Sequence, residues 1–156
     1  MKKIFFLLVF IPIISFSQSD FQKDLAARIN FTKEFVLKFK DESSIKYGNG
    51  KANSLKFLNF SDDQILNLKK IFKIQADKLF EKYKNYSNLE NENTLQDFIN
   101  TLYINEIDTR KLLTNDQLDL YFKNFDNAKQ NKNDLMNTLF LSMFISYKEL
   151  DNYNQK

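Results

Sequence analysis

Apolar residues recur at steps of three and four along most of this chain, which is the period of an amphipathic helix. The clearest run is Ile65, Leu68, Phe72, Ala76, Leu79, Tyr83 and Tyr86, a single seam down one helix face. An earlier helix is predicted over residues 20–40, where Phe21, Leu25, Ile29, Val36 and Phe39 fall near helical spacing. Another covers residues 94–112, with Leu95, Phe98, Ile99, Leu102, Tyr103 and Ile107 on a broad apolar side. The next begins after Thr114 and carries Leu118, Phe122 and Phe125, until the polar stretch 126–134 weakens or bends it. Residues 41–53 read as a polar loop that holds Gly48 and Gly50, the only glycines. Helix breakers are otherwise scarce, and the sole proline is Pro12. The expected fold is therefore all-α: a small bundle or thin cradle of four to five helices, with an antiparallel dimer as one way to complete it.

Residues 135–150 break the pattern. Leu139, Phe140, Leu141, Met143, Phe144 and Ile145 make this segment apolar on nearly every side. Two readings stay open, a central core helix or a helix packed against a partner or a membrane. At this length it cannot span a bilayer, which takes roughly 20 residues.

The start of the chain reads as an address. Lys2 and Lys3 precede an apolar run over residues 4–14, then Ser15, Phe16 and Ser17. A basic start, a short apolar stretch and small residues before the cut predict a secretory signal peptide, residues 1–17, cleaved after Ser17. Pro12 and the shortness of the run speak against a stable membrane span. Residues 18–156 then form a single all-helical domain, exported to the periplasm or secreted.

Without residues 1–17, the remaining 139 residues carry 21 basic and 20 acidic side chains, so the surplus of the whole chain sits mainly in the targeting segment. The balance is uneven: residues 18–84 hold 14 basic against 9 acidic, and residues 85–156 hold 7 against 11. A basic half and an acidic half suit head-to-tail association or a charged groove, and export makes nucleic acid an unexpected partner.

Composition removes most catalytic chemistry. The chain has no Cys and no His, so thiol and imidazole nucleophiles, disulfides and His/Cys metal sites are excluded. Two glycines cannot build a phosphate-cradling loop. Glu90 and Glu92 lie two apart in a polar stretch, without the fixed separation of a paired-carboxylate hydrolase or the spacing of a calcium loop. Glu106 and Arg110 are four apart on a helix and read as a surface ion pair. The expectation is a non-enzymatic protein with no cofactor and no metal.

One motif occurs twice. Phe60-Ser61-Asp62-Asp63-Gln64 and Leu113-Thr114-Asn115-Asp116-Gln117 share an apolar residue, a hydroxyl residue, two polar residues and Gln. This is a capping box: Ser61 or Thr114 as N-cap, with Gln64 or Gln117 reaching back from the third helical position. Phe60 with Ile65, and Leu113 with Leu118, would clamp the start of each helix. Taken alone, each box stabilises a helix start and implies no chemistry.

Paired in a small exported helical chain, the two motifs resemble the LTxxQ repeats of the Spy/CpxP family of periplasmic stress proteins. The second is a full match, and the first carries Phe for Leu and Ser for Thr. The resemblance covers residues 55–130. It implies a thin cradle-shaped dimer, and ATP-independent chaperone activity toward unfolded or partly folded envelope proteins, bound on a concave face mixing basic and apolar residues. Other members of the family restrain a sensor kinase or bind zinc. By position, Lys69, Lys70 and Lys73 fall on the helix that would line the cradle. The His/Met-rich tails of the family are absent here, so metal binding is not carried over.

Lys69, Lys70, Lys73, Lys78, Lys82 and Lys84 also read simply as one solvated basic face. The rival function is a periplasmic regulator or inhibitor specific for one partner, docking through the acidic half or through residues 135–150. A secreted helical enzyme would need a tight pocket holding two carboxylates.

Overall fold

The computed structural model describes the backbone of residues 17–146 and the side chains of residues 23–146. The signal-peptide reading, apart from Ser17, and the end of the 135–150 segment lie outside the described residues.

The described chain is all-α: α1 (Ser17–Phe39), α2 (Ser43–Asn53), α3 (Asp62–Leu89), α4 (Glu92–Lys111), α5 (Asn115–Gln130) and α6 (Leu135–Met143), with short 3-10 turns at Lys40–Glu42 and Lys56–Leu58. No strand occurs among the described residues. The two most extensive contacts between elements are α2 on α3 and α3 on α4, while α1 lies against α2, α3 and α6, and α5 against α6.

The α3 seam is buried as its period demands: Ile65, Leu68, Phe72, Ala76, Leu79 and Tyr83 all face inward, with Tyr86 half-buried at the end. From α4 come Phe98, Ile99, Leu102 and Tyr103. Aromatic rings fill much of the rest. Tyr121 and Phe125 of α5 pack with Phe140 and Phe144 at centroid separations of 4.7 to 5.8 Å. Phe35, Tyr47 and Phe80 make a second cluster, joining α1, α2 and α3.

Residues 43–53, expected as loop, form α2 instead. The buried positions are Ser43, Tyr47, Gly48, Lys51 and Ala52, spaced at helical intervals. The inward stripe is thus made of a hydroxyl, a phenol, a glycine, an amine and a methyl, which no hydrophobic pattern registers. Gly48 explains the close packing. A Cβ there would lie 2.6 Å from the Lys73 backbone nitrogen, so α2 and α3 meet backbone to backbone. Tertiary contact overrides the weak helix propensity of this segment.

The 135–150 segment is also corrected in part. Phe140, Met143, Phe144 and Ile145 enter the core, but the helix stops at Met143 and Phe144 turns extended. Leu135 and Met136 stay 72% and 61% exposed.

Candidate functional site

Both capping boxes form. Ser61 Oγ accepts from Gln64 N at 3.3 Å, and Gln64 Oε1 accepts from Ser61 N at 2.9 Å. Thr114 Oγ1 accepts from Gln117 N at 3.3 Å, and Gln117 Oε1 accepts from Thr114 N at 3.1 Å. Around them Leu113 and Ile65 are buried, while Phe60 and Leu118 are half-buried against the core. One bond was not foreseen. Gln117 Nε2 donates to Leu58 O at 3.1 Å, tying the second motif to the turn just before the first. The left-handed backbone of Asn59, φ 56°, makes the reversal between that turn and Phe60.

The α2–α3 packing creates a shallow groove of about 220 Å³, lined by Ile45, Asn49, Leu66, Lys69, Lys70 and Lys73. The three lysines singled out in the sequence are brought together there. Lys69 is half-buried, whereas Lys70 and Lys73 are exposed. Between them Ile45 and Leu66 leave 49% and 53% of their surface open, an apolar floor under ammonium groups. Lys73 Nζ also bonds Asp77 Oδ2 at 2.7 Å, and that bond, helped by Ser44, holds the Asp77 carboxyl below its usual range. The six-lysine face does not survive as one surface: Lys82 turns toward α4 and reaches Asp97 at 3.8 Å.

Glu106 and Arg110 are not a surface pair. Glu106 is 1% exposed, and its Oε1 accepts from Arg110 Nε at 2.9 Å and from Tyr121 OH at 2.7 Å. Its Oε2 accepts from Ile145 N at 3.1 Å. Burial, and then the neighbouring carboxylate, pushes the Tyr121 phenol well above its usual range. A buried cation sits close by. Lys51 Nζ lies between the rings of Phe72 and Phe144, at 4.8 and 5.0 Å, and reaches Gln75 Oε1 at 3.4 Å. Burial lowers this ammonium to about 8, opposed by the attraction of Glu106. No spacing in the sequence points to this cluster, because its members come from α2, α3, α4, α5 and the segment after α6. The only available signal was an isolated pair of arginines, Arg28 and Arg110, among 21 lysines.

Glu90 closes α3 in a left-handed conformation and Glu92 opens α4, both exposed, so the two carboxylates share no pocket. Among the described residues no group of three or more acidic side chains could hold a metal ion, and no helix is long and apolar enough to cross a membrane. No family model, curated protein or solved structure gives a significant match to the chain.

Proposed function

We propose that this is an exported, non-enzymatic, ATP-independent chaperone-like protein, which binds partly unfolded envelope proteins reversibly in the manner of the Spy/CpxP family. The observation that carries the reading is the α2–α3 groove, where Ile45 and Leu66 are exposed among Lys69, Lys70 and Lys73. A groove this shallow has no enclosed volume in which to fix one small molecule. Its chemistry suits polypeptide: ammonium groups attract acidic stretches at long range, and the apolar floor then takes up exposed side chains. The capping boxes set the geometry, since Ser61 and Gln64 begin the helix that carries all three lysines.

The test is aggregation of two unrelated denatured proteins, followed by light scattering with residues 18–156 and no nucleotide, at low and high salt. Both clients should be protected at near-stoichiometric ratios, and protection should weaken once the screening length falls well below about 10 Å. Protection of neither client contradicts the reading and leaves a regulator of one partner as the alternative.

A further inference from the structure

Residues 144–146 leave α6 and join no regular element, with Phe144 extended at φ −125° and ψ 160°. All three residues are buried. Past the last helical bond, from Phe144 N to Phe140 O, side chains reach the backbone of Phe144 and Ile145. Arg28 Nη2 from α1 donates to Phe144 O at 2.7 Å. Glu106 Oε2 from α4 accepts from Ile145 N at 3.1 Å, and Arg110 Nη2 donates to Ile145 O at 2.8 Å. Consecutive main-chain groups are therefore read one after another, through atoms that every polypeptide carries. The Phe144 ring fills a socket beside Lys51 Nζ, with Phe140 and Tyr121 at centroid distances of 4.7 and 5.6 Å.

Stability alone gives a poor account of this arrangement. Arg28, Lys51 and Glu106 are 6%, 3% and 1% exposed. Burying charge is expensive, and an apolar core of similar volume is often as stable or more so. Here both arginines of the chain, one carboxylate and one ammonium converge on two carbonyls, one amide and one aromatic ring. Extended peptides are recognised in this way, by main-chain hydrogen bonds for affinity and a side-chain pocket for selectivity.

We propose that the slot formed by α1, α2, α4 and the α5–α6 pair is a peptide-binding site, filled here by the chain's own residues 144–146. Its ligand in trans is an extended segment of an unfolded polypeptide, with an aromatic residue followed by an aliphatic one. This rests on the proposed capture of unfolded chains and adds a second, more selective subsite to the lysine groove. The cis segment is a competitor, held at Phe144 O, Ile145 N and Ile145 O by side chains of α1 and α4.

The test uses the full chain and a fluorescent peptide with the sequence of residues 141–148, read by anisotropy. In the variant Ile145→Pro, the N–H that Glu106 accepts is gone, while the extended Phe144 already suits the position before proline. Weakening the cis competitor raises the fraction of open slot, so the peptide should bind this variant about tenfold more tightly than the unaltered chain. A control peptide with Ser in place of both Phe and Ile should bind neither. Equal affinity for the two proteins, or equal binding of the control, overturns the proposal.

Amide exchange on the unaltered chain decides the matter even if the variant fails to fold. The Ile145 amide should exchange through local opening, faster than the amides of Leu79 and Leu102; exchange only with global unfolding overturns the slot as a releasable site. Aggregation suppression without peptide binding would remove the slot and keep the groove. Peptide binding without suppression would do the reverse.

Discussion

Lys51 shows how much one side chain can do to the whole stability profile. Its ammonium is held near 8 by burial, against 10.5 in the unfolded chain. Between those values the unfolded state binds more protons than the folded one, so stability rises with pH across that interval. Tyr47 and Tyr121 act in the opposite sense. Burial raises both phenols above their usual 10.0, so the unfolded chain loses those protons first and stability falls beyond that pH. Urea unfolding should therefore give a midpoint that climbs from pH 8 to near 10 and then declines. Lys51→Met keeps most of the volume and removes the charge, so it should flatten the climb and stabilise the protein by roughly 2 kcal/mol at pH 7. The capping residues make a second set of expectations. Ser61→Ala and Thr114→Ala should each cost about 1 kcal/mol. Gln117→Ala should cost more than Gln64→Ala, because it also strips the buried Leu58 of its carbonyl partner; denaturant midpoints of the four variants check the order.

At the level of elements, α3, α4 and α5 were legible because their inward positions are apolar and regularly spaced. Both capping boxes were legible for a different reason, being local and fixed by chemistry at set offsets. The segment that became α2 was not, since Ser43, Gly48 and Lys51 are inward for steric and electrostatic reasons that appear only once α3 lies beside them. Glu106 was misread for the same cause: a spacing of four from Arg110 says that they meet, but not that Tyr121 and Ile145 close over them. The two glycines separate these effects experimentally. Gly48→Ala must push backbone from backbone, with Cβ 2.6 Å from the Lys73 nitrogen, and should cost about 3 kcal/mol. Gly50→Ala meets only the flexible end of Met143, at 3.4 Å, and should gain about 0.5 kcal/mol from helix propensity. Thermal unfolding of the pair reads both signs.

For the whole molecule, the all-α class followed from the near absence of breakers, but the proposed binding surfaces depend on which helices become neighbours. Three of the six lysines on α3 gather over Ile45 and Leu66 because α2 packs there, and Lys82 is drawn away by Asp97. On the proposed reading, the protein captures loosely at an exposed groove and selects at a slot that its own chain closes. The most direct measurement is a backbone amide NMR titration of residues 18–156 with a permanently unfolded, reduced and alkylated polypeptide at low salt. The account predicts shifts centred on Ile45, Asn49, Leu66, Lys69, Lys70 and Lys73, which fade at high salt and vanish in the triple variant Lys69→Glu, Lys70→Glu, Lys73→Glu. Shifts confined to the acidic half, residues 85–156, or none at all, would contradict it.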